Sequence, residues 1–280
     1  MENALKLGDL KLYWLDGGRL GFDGGAMFGV VPKKVWQKRL PADDENFIDF
    51  IASPILVRTP ETVVIIETGF GNKLTEKQKK IFRVTKEWNI LKSLSETGLS
   101  REDVEHVILT HLDFDHAGGI AVLEDGEIAL TFPNAKHHVQ AKEWEDANNP
   151  NRRAAHSYWP INFEMLRDSE VLVLADGDKE IVPGISVIHS GGHHRGHQIV
   201  TLESNGEKAI HMGDVLPTHI HFNPLWVMGY DDHPIDVISL REKWEHKGIE
   251  EGAWFTFYHD PLLNSCKFDP DGNVIQKWPE

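Results

Sequence analysis

The sequence predicts a sheet-rich α/β protein whose helices lie outside the sheets. Short β-branched or aromatic segments, bounded by turn residues, recur along the whole chain. A smaller number of capped helical segments lie between them. The chain has 280 residues, of which 40% are hydrophobic, which is enough for a buried core. We therefore predict one domain over residues 1–280, with two strand-rich halves of roughly 1–125 and 126–280.

Hydrophobic alternation and turn residues place the individual elements. The predicted strands are, in chain order, residues 10–16, 54–59, 62–69, 106–111, 136–141, 184–192, 198–204, 207–214 and 254–260. The predicted helices cover residues 75–98, 100–107, 141–149 and 234–248. Thr75 and Ser100 are the expected N-caps of the first two helices, and Gly98 is expected to end the first.

The charge of the chain argues against nucleic-acid and membrane partners. Asp plus Glu number 44 and Lys plus Arg number 29, which gives a formal net charge of −15. Such a surface repels phosphate backbones and anionic lipids, and no basic cluster offsets it. The longest apolar runs, such as VVII (63–66), are too short to span a bilayer.

Cysteine usage and the N-terminal segment predict a cytoplasmic protein. Cys266 is the sole cysteine, so no intrachain disulfide can form, which fits a reducing compartment. The segment MENALKLGDLKLYW lacks the basic stretch followed by an apolar stretch that is typical of a signal peptide.

The segment VILTHLDFDHAGG (107–119) predicts a metal site. It places His111, Asp113, Asp115 and His116 within six residues, between an apolar strand and a Gly-Gly turn. Imidazoles and carboxylates together suit Zn, Fe, Mn or Co. Because the side chains fall into two pairs, the loop favours two neighbouring ions over one. The competing interpretation is a polar loop that begins a helix, with Asp115 as its cap.

Three further clusters of polar residues follow predicted strands. They are SGGHHRGH (190–197), HMGD (211–214) and FYHD (257–260). Asp214 ends a strand, where a carboxylate can bridge two ions, and His259 ends the last strand. One such histidine is usually structural, but four clusters at strand ends favour a dinuclear site.

The order THxxxDHAGG, GHxxGH, GD and a late HD resembles the metallo-β-lactamase-fold hydrolases over nearly the whole chain. More narrowly, FDGGAMFGVVPK (22–33), ETGFGNKLTEKQ (67–78) and PLWVMGYDDHP (224–234) resemble the branch that contains quorum-quenching N-acyl-homoserine lactone lactonases. The resemblance implies a four-layer αββα sandwich with two facing mixed sheets and helices outside.

Carried over by position, the resemblance implies a full set of metal ligands. It assigns His111, Asp113 and His193 to a first ion, Asp115, His116 and His259 to a second, and Asp214 as the bridge between them. Glu67 lies where the family places an acid that orients a ligand. The resemblance implies that His197 belongs to the packing of its loop and that His194 faces solvent or the pocket.

Two positions depart from the family pattern, which usually reads His-x-His-x-Asp-His and Asp-Thr-Gly. Asp113 replaces the second histidine, and Glu67 replaces the aspartate. An added carboxylate makes the ion a weaker Lewis acid and favours iron, manganese or cobalt relative to zinc. Zinc is the default expectation. The alternative is that Asp113 does not bind, which leaves a weak or empty first site.

The resemblance implies a dinuclear hydrolase that opens a lactone by attack of a bridging hydroxide, with Asp115 and Asp214 as the catalytic residues. Many of these lactonases carry a tyrosine three residues after the bridging aspartate, where this chain has Pro217. His219 or His221 is the candidate replacement, and a structural role for both is equally open.

Two segments predict walls of a substrate pocket. Glycines flank Met27 and Phe28, as in a flap, and the segment after Asp214 offers further side chains. The predicted pocket residues are Met27, Phe28, His219, His221, Phe222, Trp226 and Met228. An acyl-chain pocket, a dimer contact and plain core packing all use such residues. His156 and Tyr158 are weaker candidates for the cleft.

Two other functions remain open at this level. The same site suits phosphotriesters or other esters, and a degenerate first site would leave a non-catalytic metal-binding protein. The expected partner is a small-molecule ester or lactone, and a homodimer is implied by the resemblance alone.

Overall fold

Two seven-stranded sheets pack face to face, with helices on their outer surfaces. The computed structural model describes residues 4–279. The strands are, in chain order, β1 (Leu5–Leu7), β2 (Leu10–Trp14), β3 (Arg19–Asp23), β4 (Phe47–Ile51), β5 (Ile55–Arg58), β6 (Val63–Ile66), β7 (His106–Ile108), β8 (Ala121–Glu124), β9 (Glu127–Leu130), β10 (Lys136–Gln140), β11 (Leu172–Ala175), β12 (Lys179–Val182), β13 (Ile185–His189), β14 (Gln198–Ser204), β15 (Glu207–His211), β16 (Trp254–Thr256), β17 (Ser265–Phe268) and β18 (Val274–Trp278). The helices are α1 (Gly24–Phe28), α2 (Lys33–Trp36), α3 (Glu76–Ile81), α4 (Ile90–Ser95), α5 (Phe114–Ala117), α6 (Ala141–Asn148), α7 (Pro160–Phe163) and α8 (Pro234–Glu250).

Both sheets are mixed. The first has the order β1-β2-β5-β6-β7-β10-β11, antiparallel up to β6 and parallel from β6 to β11. The second runs from β12 to β18 in sequence order, and only β15 and β16 pair in parallel. β3 and β4 form a separate hairpin, as do β8 and β9.

The core explains the four layers. Ile55, Val64 and Ile66 of the first sheet pack against Val187 and Val200 of the second, in one buried cluster. A second cluster lies between the first sheet and α4, α6 and α7, and a third between the second sheet and α8. The central strands therefore bury side chains on both faces of each sheet. One face packs against the other sheet, and the opposite face packs against helices. The predicted αββα sandwich is confirmed.

The chain changes sheet later than the sequence suggests. The first sheet ends with β11 and the second begins with β12, so the change falls between Ala175 and Lys179 rather than near residue 125. The predicted strands all correspond to observed ones, but the hairpins β3–β4 and β8–β9, the edge strands β1, β11, β12 and β18, and the inner strand β17 were not predicted.

The helix predicted over residues 75–98 is divided into α3 and α4. Thr75 caps α3 in a capping box with Gln78, as predicted. The chain then turns at Arg83, which has a φ of 45°, and Lys86 forms a β-bridge with Arg19. Trp88 donates its indole N–H to the carbonyl of Thr68 over 2.8 Å. These long-range contacts override the local helical pattern.

The other helix predictions differ in extent. Residues 141–149 and 234–248 correspond closely to α6 and α8. In the predicted helix 100–107 only a 3-10 turn at Arg101–Asp103 forms, after the Ser100 cap, and β7 follows. Within residues 4–279, none of the helices combines the length and apolar composition needed to cross a bilayer.

Candidate metal centre

The loop after β7 carries four of the predicted ligands. Asp113 occupies the N-cap position of α5 without a side-chain capping bond, and Asp115 lies within the helix, so Asp115 is not a cap. Gly118 and Gly119, which follow this helix, lie against the backbone of Thr68 and Phe70 in the segment after β6. A Cβ on Gly118 would come within 2.2 Å of the Phe70 carbonyl, and one on Gly119 within 2.1 Å of the Thr68 oxygen. Only glycine permits this approach.

Three other loops at the same edge of the two sheets bring the remaining ligands. His193 lies between β13 and β14, Asp214 follows β15, and His259 follows β16. We call His111, Asp113 and His193 the first group, and Asp115, His116 and His259 the second group. The structure brings both groups together around Asp214.

In the first group, the donor atoms face one point. The Nε2 atoms of His111 and His193 each lie 3.8 Å from Asp113 Oδ2. His193 Nε2 is also 3.6 Å from Asp214 Oδ2. All these side chains are buried or nearly so, which removes them from competing water.

In the second group, the Nε2 atoms of His116 and His259 lie 2.9 Å apart. Each is 3.2 Å from Asp214 Oδ1. Asp115 Oδ2 lies 3.7 Å from His259 Nε2 and 4.0 Å from His116 Nε2. One oxygen of Asp214 therefore faces the second group while its other oxygen faces the first.

The residues fit two divalent metal ions. Ligand atoms in tetrahedral positions around an ion at about 2.1 Å are about 3.4 Å from one another, close to the separations in both groups. The Nε2 atoms of His111 and His193 and the Oδ1 atom of Asp214 are buried without a hydrogen-bond partner among the described residues. Leaving such atoms unpaired is costly unless an ion satisfies them.

The opposite nitrogens of His111, His193 and His259 are hydrogen-bonded by the protein. His193 Nδ1 lies 2.9 Å from Asp231 Oδ1, and His259 Nδ1 lies 2.8 Å from the Ile51 carbonyl. His111 Nδ1 is 2.9 Å from the hydroxyl of Thr110. Partners on Nδ1 fix the ring orientation and leave Nε2 for an ion.

Glu67 lies behind the second group, against His116. Its Oε1 atom is 3.4 Å from His116 Nδ1 and accepts hydrogen bonds from the amide and hydroxyl of Thr110. Burial alone would raise the pKa of Glu67, but His116 and His211 outweigh it and bring the pKa to about 2. Glu67 is therefore an ionised carboxylate that balances the imidazoles.

Sequence reasoning placed His194 facing solvent or the pocket, and the side chain does line the cavity above this site. Its contacts with two aspartates were not predicted. This side chain is buried beside the first group, with Nε2 3.0 Å from Asp113 Oδ1 and Nδ1 3.2 Å from Asp232 Oδ2. Burial lowers the pKa of His194, but the carboxylates of Asp113 and Asp232 outweigh it and hold the pKa well above its usual value. In the sequence, the adjacent pairs His193-His194 and Asp231-Asp232 were the available indication of these contacts. His197 is buried in its loop against Ser190, as the resemblance implied.

A cavity of about 540 Å³ opens above both groups. Its floor contains Asp113, Asp115, His193 and Asp214. Its walls are mainly aromatic and apolar, formed by Phe22, Met27, Phe47, Phe50, Ile81, Phe82, Phe114 and Tyr230. The half-exposed Arg153 and His156 also line it. Most of this wall comes from segments for which the sequence suggested no pocket role.

Met27 is the predicted pocket residue that lines the cavity. The other six lie outside its lining: Phe28, His219, His221, Phe222, Trp226 and Met228. Phe28 is buried between Trp36 and His221, with ring centroids at 5.0 and 4.7 Å. Met228 is also buried, so core packing, the alternative interpretation, describes these residues.

His219 and His221, the candidate replacements for the family tyrosine, make hydrogen bonds outside the cavity. His221 Nδ1 lies 2.7 Å from the Thr218 hydroxyl, and its Nε2 lies 2.9 Å from the Met27 carbonyl. The amide and ring of His219 both contact Asp260. Phe222 stacks on Phe268 at 3.7 Å, away from the cavity. These contacts favour the structural role for both histidines.

The profile of the metallo-beta-lactamase superfamily matches residues 48–251 of the chain. The chain belongs to this superfamily. That stretch contains every residue of both groups except His259, and Asp214 as well.

Known relatives of this metallo-beta-lactamase superfamily member include hydrolases. A probable metal-dependent hydrolase from Staphylococcus aureus is 41% identical, with a TM-score of 0.92 and 98% of each chain covered. The N-acyl homoserine lactonase AiiA of Bacillus thuringiensis subsp. kurstaki is 29% identical over 203 residues, which cover 69% of this chain and 70% of the relative. AidC, a dizinc quorum-quenching lactonase, has a TM-score of 0.81 at 21% identity over 99% of this chain and 97% of its own, a likeness of fold.

Proposed function

We propose that the protein is a dinuclear metal-dependent hydrolase that opens lactone rings of the N-acyl-homoserine lactone kind. The observation that carries the proposal is Asp214, whose two oxygens face the two groups at the floor of an aromatic cavity. The lactonase relatives named above support the substrate class.

The two groups offer the same kinds of ligand atoms, so the two ions would lie in similar environments. With Asp214 counted for both, each group offers two imidazole nitrogens and two carboxylates. Two bound ions would supply an activated water and a Lewis acid for the carbonyl oxygen. We propose zinc as the default occupant, with iron, manganese or cobalt favoured by the carboxylate at position 113.

The remaining chemistry falls to the chain itself. Asp115 lies on the cavity floor beside Asp214, so its carboxylate can take the proton that the attacking water releases. The same carboxyl group then returns the proton to the leaving oxygen of the opened ring. The aromatic walls receive an acyl chain and keep bulk water from the floor.

The electrostatics of the cavity favour a neutral substrate. Five aspartates line it, namely Asp23, Asp113, Asp115, Asp214 and Asp232. The one arginine of the lining, Arg153, is paired with Asp232 over 2.8 Å. With two divalent ions bound, their four positive charges would offset Asp113, Asp115 and Asp214, and Arg153 offsets Asp232, so the loaded cavity would carry little net charge and suit an uncharged lactone. A phosphotriester is also uncharged, so its hydrolysis is the second candidate activity.

The proposal is tested by measuring hydrolysis of a substrate panel. We would load the protein with zinc or manganese, determine metal content by elemental mass spectrometry, and offer acyl-homoserine lactones of several chain lengths, a phosphotriester and a simple aryl ester. Lactone opening is expected to dominate and to be lost in Asp214→Asn. The exposed Asp44→Asn is the matched control and should retain activity.

Two other outcomes of the substrate panel would replace the lactonase proposal. Two bound ions with turnover of the phosphotriester but not of any lactone would replace the lactonase proposal by the second candidate. Failure to bind two ions would support a non-catalytic metal-binding protein with a degenerate first site.

A further inference from the structure

Two loops that meet beside the first group carry matched pairs of residues. His193 and His194 lie on the loop between β13 and β14, and Asp231 and Asp232 lie on the loop before α8. His193 contacts Asp231 over 2.9 Å, and His194 contacts Asp232 over 3.2 Å. The Asp232 amide also donates to the His193 carbonyl over 2.9 Å. The two loops are therefore joined by both backbone and side chains.

The two oxygens of Asp113 face different partners. Oδ2 faces the Nε2 atoms of His111 and His193, each at 3.8 Å, where the first ion would lie. Oδ1 faces His194 Nε2 at 3.0 Å. A hydrogen bond on Oδ1 fixes the rotation of the carboxylate and leaves Oδ2 for the ion.

The contact continues to the rim of the cavity. His194 Nδ1 is held by Asp232, whose other oxygen accepts from Arg153 Nε over 2.8 Å. Arg153 also donates to the backbone carbonyls of Gly229 and Asp231. His194 is thus held at both ring nitrogens, and its position is set by the loop before α8.

We propose that His194 is a positioning residue for Asp113, and that an aspartate serves as a ligand at position 113 because His194 and Asp232 orient it. An imidazole at position 113 would present a single nitrogen to the ion, whereas a carboxylate has two equivalent oxygens that rotation about its Cβ–Cγ bond can exchange. The hydrogen bond from His194 removes that freedom. This inference rests on the proposed dinuclear centre and adds to it a residue that acts through a ligand.

The hydrogen bonds of His194 favour positioning over direct ligation, although one of its ring nitrogens lies within 4.8 Å of donor atoms of His111, Asp113 and His193. Both ring nitrogens of His194 are taken up by aspartate oxygens, and the Asp113 oxygen that faces His194 is not the one that faces His111 and His193. A direct ligand would have one nitrogen directed at the ion. Direct ligation by His194 is the principal alternative outcome of the test.

The test measures zinc affinity rather than turnover. Two dissociation constants per chain would be measured by competition with a chromophoric chelator for the unsubstituted protein and for His194→Ala, His194→Gln, Asp113→His and the double variant Asp113→His/His194→Ala. Loss of a residue that orients a ligand typically weakens metal binding by about 10- to 100-fold. We expect that loss for one ion only in His194→Ala, with most of the affinity restored in His194→Gln, whose amide donates a hydrogen bond.

The double variant gives the sharpest result. Once histidine replaces Asp113, removal of His194 should change either zinc affinity by less than about threefold, because no carboxylate remains to be oriented. Arg195→Ala is the matched control in the same loop, since Arg195 pairs with Glu145 and Asp146 on the surface, and it should leave both affinities unchanged. Thermal unfolding of each metal-free variant shows whether it folds.

Three results would overturn the inference. Unchanged affinities in His194→Ala would show that Asp113 needs no partner. An equal loss with and without Asp113 would show that His194 acts by another route. Loss of one imidazole per pair of zinc ions in X-ray absorption spectra of His194→Ala, without rescue by glutamine, would make His194 a ligand. Absence of lactone turnover with two zinc ions bound would refute the proposed function and leave this inference intact.

Discussion

The Nε2 atoms of His116 and His259 lie 2.9 Å apart although the two residues follow strands of different sheets. His116 follows β7 of the first sheet, and His259 follows β16 of the second. Phe50 of the β3–β4 hairpin stacks on His259 with ring centroids at 3.8 Å. An ion held by both histidines would join the two sheets at the edge where the substrate cavity opens.

Metal removal is therefore expected to destabilise the whole fold. An ion that binds only the folded state adds about 2.7 kcal/mol when its free concentration is 100 times its dissociation constant. Thermal unfolding measured with zinc and with a chelator should give a lower midpoint in the chelator. In His116→Ala the difference between the two midpoints should shrink. Equal midpoints in the original protein would show that the centre does not link the sheets.

Truncation of Phe82 is expected to change chain-length preference. Phe82 lines the cavity and lies against Phe114, with ring centroids 4.5 Å apart. Loss of about 1.4 kcal/mol of binding free energy between the acyl chain and this ring would raise KM about tenfold. We expect Phe82→Ala to do this for long-chain lactones and to leave short-chain lactones nearly unchanged, as measured by steady-state kinetics.

Phe222→Ala is the matched control for this experiment. Phe222 stacks on Phe268 outside the cavity, so its truncation should lower the unfolding midpoint without altering the ratio of KM values for long and short chains. A shift of that ratio by Phe222→Ala, and none by Phe82→Ala, would contradict the position of the cavity wall.

Asp113→His is expected to change which metal the protein retains. Replacing a carboxylate by an imidazole at the first group favours zinc over iron and manganese. Protein produced in medium with defined metals and analysed by elemental mass spectrometry should show a higher ratio of zinc to iron in the variant, with two ions per chain in both proteins. A single ion in the original protein, restored to two by the histidine, would show that the first group is degenerate.

Glu245 on α8 is expected to make stability depend on pH. Burial raises the pKa of Glu245 to about 8, against the opposing effect of Arg241. Between the unfolded pKa of 4.5 and the folded pKa of about 8, the folded state keeps a proton that the unfolded chain releases. The free energy of unfolding therefore falls as pH rises through this window.

Glu245→Gln should remove this dependence. At pH 9 the variant is expected to be more stable by about 5 kcal/mol, because the pKa of Glu245 rises from 4.5 to about 8 on folding and each pKa unit corresponds to 1.36 kcal/mol. Near pH 4.5 the difference should vanish. Denaturant unfolding at several pH values measures it. Glu242→Gln, an exposed substitution on the same helix, should shift stability by less than about 0.5 kcal/mol. Parallel pH profiles for Glu245→Gln and the original protein would refute the prediction.

The sequence predicted which polar side chains come together because most of them lie in short contiguous motifs. His111, Asp113, Asp115 and His116 occupy one loop, and the Gly-Gly turn beside them serves a local steric need. Short segments with β-branched or aromatic residues likewise predicted most of the central strands of both sheets, since strand patterning depends on neighbours along the chain.

Elements that depend on distant partners were predicted poorly. The segment of residues 75–98 has helical periodicity throughout, yet Phe82 and Trp88 pack into a cluster with Leu20 and Phe114 and divide it. The unpredicted β3–β4 hairpin contributes Phe22, Phe47 and Phe50 to the cavity. No local pattern indicates which aromatic side chains face a cavity and which face the core.

The sequence by itself predicted a sheet-rich α/β fold, four polar clusters at strand ends and the unusual aspartate at position 113, because each is written in the order and spacing of adjacent residues. The resemblance to the metallo-beta-lactamase fold implied how these clusters divide into two groups. Only the tertiary structure decided that His194 and Asp232 hold this aspartate and that the cavity wall is formed by aromatic residues far apart in the chain. The physical reason is that orientation and burial arise where separate loops meet, and the chain positions of those loops do not reveal which of them will touch.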